Sequence, residues 1–255
     1  MKLKNQLFIS LAGLALSLSC THAQITIFQE DFNGGTGDLN GASPDTGGVN
    51  WVAASMFDLN GDVNETDAGA GSATLAFAPV NGFTYTAEAS YTLSAGGSGD
   101  FIGFGFANGQ DATVSTGNRF LGALTSGRAW AFTRENTNNP AASLTETTNS
   151  ATWTGLTNSP SNVDLRIILD TTGGTGAWTA TWFAKDQASV GYTEVRASTL
   201  LGGEDIDSVG FASAGGGVTA NITNFSLTSI PEPSSYAFLA GLTGLALVMT
   251  RRRRA

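Results

Sequence analysis

Cysteine and histidine are almost absent from this 255-residue sequence. Its one cysteine, Cys20, and its one histidine, His22, both lie within the first 23 residues. The remainder therefore cannot form a disulfide or a Ser-His-Asp or Cys-His nucleophile system. It also lacks the thiolate and imidazole ligands of zinc, copper and iron sites. Of the common catalytic chemistries, only that of carboxylates remains.

Basic residues are scarce between residues 24 and 230. That stretch has six lysines and arginines against twenty aspartates and glutamates, a formal charge near −14. So acidic a surface repels nucleic acid and anionic lipid and attracts cations. The composition thus predicts no nucleic-acid partner.

The N-terminal segment has the three parts of a secretion signal. Lys2 and Lys4 precede an apolar run over residues 7–18, and small residues lead to Ala23. This order predicts a signal helix within residues 1–23, removed by signal peptidase after Ala23. A lipoprotein would instead need a lipidated Cys20, but Leu18 lies one position away from where such a signal places its bulky residue.

The C-terminal segment, residues 230–255, is also built of ordered parts. Two prolines flank Glu232, an uncharged segment covers residues 236–250, and four arginines follow. As a helix the uncharged segment rises about 22 Å, short of a hydrocarbon core of about 30 Å, which predicts a transient transmembrane anchor. The arginines predict a cytoplasmic C-terminus. The prolines predict an extended stretch that neither joins the helix nor lies inside a sheet.

This tail resembles the PEP-CTERM sorting signal. Its motif is Pro231, Glu232 and Pro233, and its basic cap is Arg251, Arg252, Arg253 and Arg254. The resemblance implies recognition by an exosortase, a membrane protease-transpeptidase, and release of the body or its attachment to extracellular polysaccharide. The implied final location is the cell surface or the extracellular matrix. A plain C-terminal anchor is the alternative.

Alternating apolar residues dominate the body, residues 24–229. From Phe83 to Leu93 the odd positions are apolar and the even ones polar, and residues 163–169 repeat the pattern before a glycine-rich hairpin loop and residues 178–182. Such alternation predicts an all-β fold, an antiparallel β-sandwich or jelly roll forming one domain. Further strands are expected at residues 25–28, 73–77, 101–106, 120–124, 129–134, 208–212 and 222–227, with a long surface loop at 136–150.

Three short segments in the body resemble concanavalin A-like or laminin-G-like sandwiches. They are Glu30-Asp31-Phe32, residues 208–211 and residues 224–227. The resemblance implies the fold of a secreted binding module and does not by itself assign a function.

Residues 58–67 carry oxygen ligands at alternate positions. Asp58, Asn60, Asp62 and Asn64 resemble the start of an EF-hand or dockerin loop, which predicts a calcium site. Val63 replaces the usual glycine, however, and Gly69 replaces the bidentate acid. An Asx-rich surface turn is the alternative.

Two other groups of residues bear on binding and catalysis. Glu204, Asp205 and Asp207 lack the spacing of glycosidase acids on a sandwich, which favours a solvated turn and a non-catalytic protein. Trp153, in a polar loop, is the candidate for stacking on a sugar ring, whereas Trp178 and Trp182 share a strand face and are expected in the core. Two functions follow, a non-catalytic surface or matrix protein and a lectin-like carbohydrate-binding module. A glycoside hydrolase ranks below both.

Overall fold

The computed structural model describes most of the body and little of the two ends. It covers residues 23–64, 70–95, 101–108, 127–134, 141–146, 149–152, 162–186, 190–200, 205–214 and 219–232. Ile25–Ile230 form one compact unit, and the second unit consists of Met1–Gln24 and Pro231–Ala255, of which only four residues are described. The expected terminal helices lie outside the described residues.

The described part of the chain contains strands and no helix, which confirms the all-β prediction. No helix among these residues has the length and apolar character needed to cross a membrane. The strands are β1 (Ile25–Glu30), β2 (Val52–Ala53), β3 (Asp62–Asn64), β4 (Ala70–Ala76), β5 (Phe83–Ala95), β6 (Phe101–Ala107), β7 (Gly127–Arg134), β8 (Ala141–Glu146), β9 (Asn149–Thr152), β10 (Asn162–Asp170), β11 (Thr179–Asp186), β12 (Thr193–Leu200), β13 (Ser208–Ala214) and β14 (Thr219–Pro231).

The strands form two antiparallel sheets. Sheet A has the order β1-β14-β5-β10-β11-β12, with β3 also paired to β14. Sheet B has the order β2-β4-β13-β6-β7-β8-β9. The described strands all pair antiparallel, and the predicted sandwich is confirmed.

The predicted hairpin forms the centre of sheet A. β10 pairs with β5 through Ile167 and Ala87 and with β11 through Ile167 and Trp182. These three residues and their neighbours two positions away are buried, because alternate residues of a strand face the same side of the sheet. Trp178 and Trp182 are both buried, as predicted.

Aromatic rings fill the space between the sheets. Phe211 of β13 and Phe225 of β14 approach to 5.7 Å between ring centroids, and Trp51 lies 5.5 Å from Phe225. Such edge-to-face pairs add to the free energy gained by burying apolar surface. Since the rings come from both sheets, their packing stabilises the contact between the two sheets.

Two expectations need correction, and one lies outside the described residues. Residues 136–150 are not a simple loop, because β8 and the start of β9 lie there and pair with each other. Pro231 belongs to a sheet as the last residue of β14, a position where its missing N–H interrupts no further ladder. The strand expected at residues 120–124 lies outside the described residues.

Candidate functional site

Three carboxylates meet where β1 ends. Glu30 is the last residue of β1, Asp31 follows it, and Asp45 lies in a loop that pairs with the strand through Gln29 and Thr46. One oxygen from each acid lies within 4.8 Å of the other two. We call Glu30, Asp31 and Asp45 the acidic cluster.

Backbone and side-chain donors hold these carboxylates in place. The Phe32 N–H donates to Oε1 of Glu30 at 2.9 Å, and Nε1 of Trp51 donates to Oε2 at 3.4 Å. The Asp31 N–H donates to Oδ2 of Asp45 at 3.0 Å. Phe32 has a positive φ of 54°, so the chain turns sharply directly after the two acids. The turn brings the three acids close together, with Glu30 buried and the other two exposed.

The three acids differ in environment. Burial raises the pKa of the Glu30 carboxyl, and only 7% of this residue is exposed. Asp31 is exposed, and hydrogen bonds from Asn33 lower its pKa. Carboxylate oxygens are the ligands that Ca²⁺ prefers. In the described part of the chain, the donors that hold these carboxylates are backbone and indole N–H groups, not basic side chains. The arrangement therefore suits a hard divalent cation.

Sequence reasoning did not identify this cluster as a metal candidate. The sequence marks Glu30 and Asp31 only through the resemblance to concanavalin A-like sandwiches, and it does not mark Asp45 as a ligand. The signal in the sequence is two adjacent acids at a strand end. Their third partner, fourteen residues after Asp31, becomes a neighbour only through the fold.

The sequence-predicted calcium loop forms a tight turn that precedes and enters β3. The Asp58 N–H donates to the carbonyl of Asp62 at 3.0 Å. The carboxylate of Asp62 accepts from Nδ2 of Asn60 at 2.8 Å and from Nδ2 of Asn221 at 2.9 Å. These bonds tie the loop to β14, and the side chain of Asn64 lies outside the described part. Calcium binding at Asp58, Asn60, Asp62 and Asn64 stays a prediction.

Gly61 lets this turn approach β14 closely. Its φ is +79°, and a Cβ added there would lie 1.9 Å from the carbonyl oxygen of Ile222. A larger residue would have to displace backbone. The turn is thus built for contact with β14 as well as for its Asx hydrogen bonds.

A second group of charges lies on the outer face of sheet A. Glu88 pairs with Arg166, and Oδ2 of Asp164 lies 2.9 Å from Nζ of Lys185. The Tyr192 ring lies against both cations, with Cζ of Arg166 3.9 Å from its centroid. Burial, then the negative charges of Glu88 and Asp164, raise the pKa of the Tyr192 hydroxyl. We call these five residues the paired cluster.

The outer face of sheet B combines small residues with aromatic positions. By register, Thr74, Gly210, Gly105 and Trp130 follow one another across β4, β13, β6 and β7. Thr74 is 3% exposed, and its hydroxyl has no hydrogen-bond partner in the described structure. Phe132 occupies the next position of β7 on this face, opposite Gly103.

The remaining sequence-predicted residues are dispersed. Asp205 and Asp207 are exposed on either side of buried Ile206, in the segment before β13, and Asp205 accepts from Nδ2 of Asn108 at 2.5 Å. Ala23 and Glu232 are exposed at the two ends of the described chain. Outside the described residues lie Glu204, Trp153, Pro233, Arg251, Arg252, Arg253 and Arg254.

Comparison with known proteins finds no matching family model and no matching curated protein. Among solved structures, the chain is similar to lectin I from Ulex europaeus, solved with the methyl glycoside of α-L-fucose, at 12% identity and a TM-score of 0.43, covering 82% of this chain and 98% of that one. It is similar to the lectin from Bauhinia forficata, solved with GalNAc, at 10% identity and a TM-score of 0.46, covering 83% and 99%.

A further similarity is to an engineered GH43 glycoside hydrolase, at 11% identity and a TM-score of 0.44. It covers 74% of this chain and 42% of the enzyme, so this chain spans less than half of that protein. At such identities and TM-scores, the similarities carry no argument about function.

Proposed function

We propose that this is an exported, non-catalytic protein of the cell surface or extracellular matrix, sorted through its C-terminal segment. The observation that carries the proposal is the order of the tail, a Pro-Glu-Pro motif, an uncharged segment and four arginines. The N-terminal signal pattern requires the same side of the membrane for the body. Signal peptidase and an exosortase are the processing partners that this proposal needs.

The position of the motif supports this function. β14 ends at Pro231, and Glu232 is exposed directly after it. The motif therefore begins where the sandwich ends, and removal of the tail beyond it would leave every strand of the described body intact. A processed body could persist outside the cell.

The test is a fractionation experiment in a host that has an exosortase. The full chain carries an internal tag, and the variant replaces Pro231, Glu232 and Pro233 by alanine. We expect the variant to remain uncut in the membrane fraction, whereas a Pro79→Ala control is processed like the parent chain. Equal processing of the parent and the motif variant would contradict the proposed sorting.

We propose carbohydrate binding on the outer face of sheet B as the second candidate function. Trp130 and Phe132 are adjacent aromatic positions on this face, and aromatic rings pack well on the apolar faces of sugars. The backbone register continues from these positions to β8 and β9, at Ser143, Thr145, Ser150 and Thr152. Extracellular polysaccharide is the ligand class that we propose for this face.

Affinity electrophoresis through gels containing extracellular polysaccharide tests this second function. Retention that is lost in Trp130→Ala would support the face on sheet B, and loss in Trp153→Ala would support the loop residue chosen from the sequence. Phe183→Ala, on the outer face of sheet A, is the matched control. If no polysaccharide slows the migration of the protein, carbohydrate binding is excluded and only the first proposed function remains.

A further inference from the structure

We propose that Gln24 becomes the first residue of the exported chain and closes to a pyroglutamyl ring. This inference rests on the proposed export and cleavage after Ala23. It concerns a modification of the body that is independent of sorting at the other end. The reacting groups are the α-amino group and the side-chain amide of the same residue.

The structure leaves Gln24 free of the sheet. Ala23 and Gln24 are exposed and belong to no strand, and β1 begins at Ile25, which pairs with Ser229. Ring closure involves only atoms of residue 24. The ring can therefore form without breaking any pair between β1 and β14.

The reaction balances without a co-reactant. The α-amino nitrogen attacks Cδ of the Gln24 side chain, forms an N–Cδ bond and expels the amide nitrogen as ammonia, which carries away the displaced proton. An α-amino group has an ordinary pKa of about 7.7–8.0, so a sizeable fraction is the unprotonated nucleophile near neutral pH. Holding both groups in one residue makes the step intramolecular, which favours it strongly over attack by a second molecule.

Ring closure has a particular electrostatic effect in this chain. Residues 24–230 contain no histidine and no cysteine, so no side chain there has an ordinary pKa between about 5 and 9. The new α-amino group would be the one group whose ordinary pKa lies in that window. The lactam removes it, and it also denies aminopeptidases the free amine from which they would trim into β1.

Mass spectrometry of the N-terminal peptide from the secreted protein tests the inference. Digestion is kept acidic and brief, and a synthetic Gln24 peptide treated in parallel must keep its ammonia. We expect most of the native peptide to begin at residue 24, to weigh one ammonia less than the glutamine form, and to resist Edman degradation. Pyroglutamyl aminopeptidase should then expose Ile25.

Gln24→Ala is the matched control, with the same cleavage and a free amine. Because the body is strongly negative, its mobility towards the anode should rise between about pH 6 and pH 9, by the loss of one positive charge. The parent mobility should stay constant over this range, because the ring has removed the α-amino group. A peptide that starts at Gln24 with its full mass overturns the ring and leaves export intact. A peptide that starts at Met1 overturns both the ring and the export.

Discussion

The acidic cluster and the paired cluster each bring carboxylates together, but different groups stabilise the negative charge in each. In the paired cluster, Arg166 and Lys185 neutralise Glu88 and Asp164, and Tyr192 lies against both cations. In the acidic cluster, backbone N–H groups and an indole N–H stabilise the carboxylates. The charges of the paired cluster cancel, whereas the acidic cluster keeps its negative charge.

This difference separates a structural role from a binding role. Ion pairs on a surface add little stability, and acids that already have basic partners do not attract a further cation. A group of carboxylates stabilised by dipoles alone still attracts a cation. In a body with a charge near −14, retained negative charge at one turn is expected to respond to divalent ions and to pH.

The largest expected difference comes from removing one acid in each cluster. Glu30→Ala leaves the Phe32 N–H and Nε1 of Trp51 without their acceptor and should lower the free energy of unfolding by about 2–4 kcal/mol. Glu88→Ala should cost less than about 1 kcal/mol, because water can solvate the partly exposed Arg166. Urea unfolding followed by tryptophan fluorescence measures both, and equal losses would erase the distinction.

Calcium should stabilise the protein through the acidic cluster. At a hundredfold excess over the Kd, we expect a gain of about 2.7 kcal/mol in the free energy of unfolding. Asp45→Asn should remove most of this gain, whereas Asp62→Asn should keep it. Urea unfolding with and without Ca²⁺ measures the gain, and calorimetric titration measures the binding itself. If Asp62→Asn and not Asp45→Asn abolished the gain, the site would be the loop at Asp58. If the titration gave no heat, neither site would bind calcium.

The raised pKa of Glu30 predicts a pH dependence of definite sign. Because the folded state binds the Glu30 proton more tightly than the unfolded state, this group's contribution is full below the ordinary glutamate pKa. The contribution is lost as pH rises through the higher folded pKa. Glu30→Gln should flatten this part of the stability curve, measured by thermal unfolding from acidic to neutral pH, and an unchanged curve would refute the assignment.

The smallest expected effect lies in the paired cluster. Glu88→Gln removes a negative charge that raises the pKa of Tyr192, so this hydroxyl should ionise at lower pH. Alkaline titration followed by tyrosinate absorbance measures the shift. Glu194→Gln, on the neighbouring β12, is the control and should leave the titration unchanged.

Strands with strong alternation could be predicted from the sequence. β5 and β10 have an apolar residue at every second position. The two strands pair with each other, so their apolar residues lie side by side on one face of the sheet. β8 and β9 escaped prediction because alanine, serine and threonine make up most of their sequences and give no apolar alternation. Their place depends on backbone pairing of β8 with β7 and of β9 with β8. The sequence therefore predicts buried strands well, and it predicts strands at the edge of a sheet poorly.

The candidate sites show the same limit. The loop at Asp58 was visible because its ligands alternate within seven residues. The acidic cluster needed the turn at Phe32, with φ 54°, and the pairing of Gln29 with Thr46 before Asp45 could join Glu30 and Asp31. Alternation is a local property, whereas that cluster is a property of the folded chain.

The pairing of β1 with β14 has a consequence for the timing of folding. Ile25 lies opposite Ser229, so sheet A joins residues from nearly opposite ends of the body. Contacts between such distant residues form slowly, since a long loop must close before they stabilise anything. In a chain threaded N-terminus first through a translocation channel, β1 would wait for its partner until β14 had emerged. Under the proposed export, the pairing of β1 with β14 would form only outside the cell.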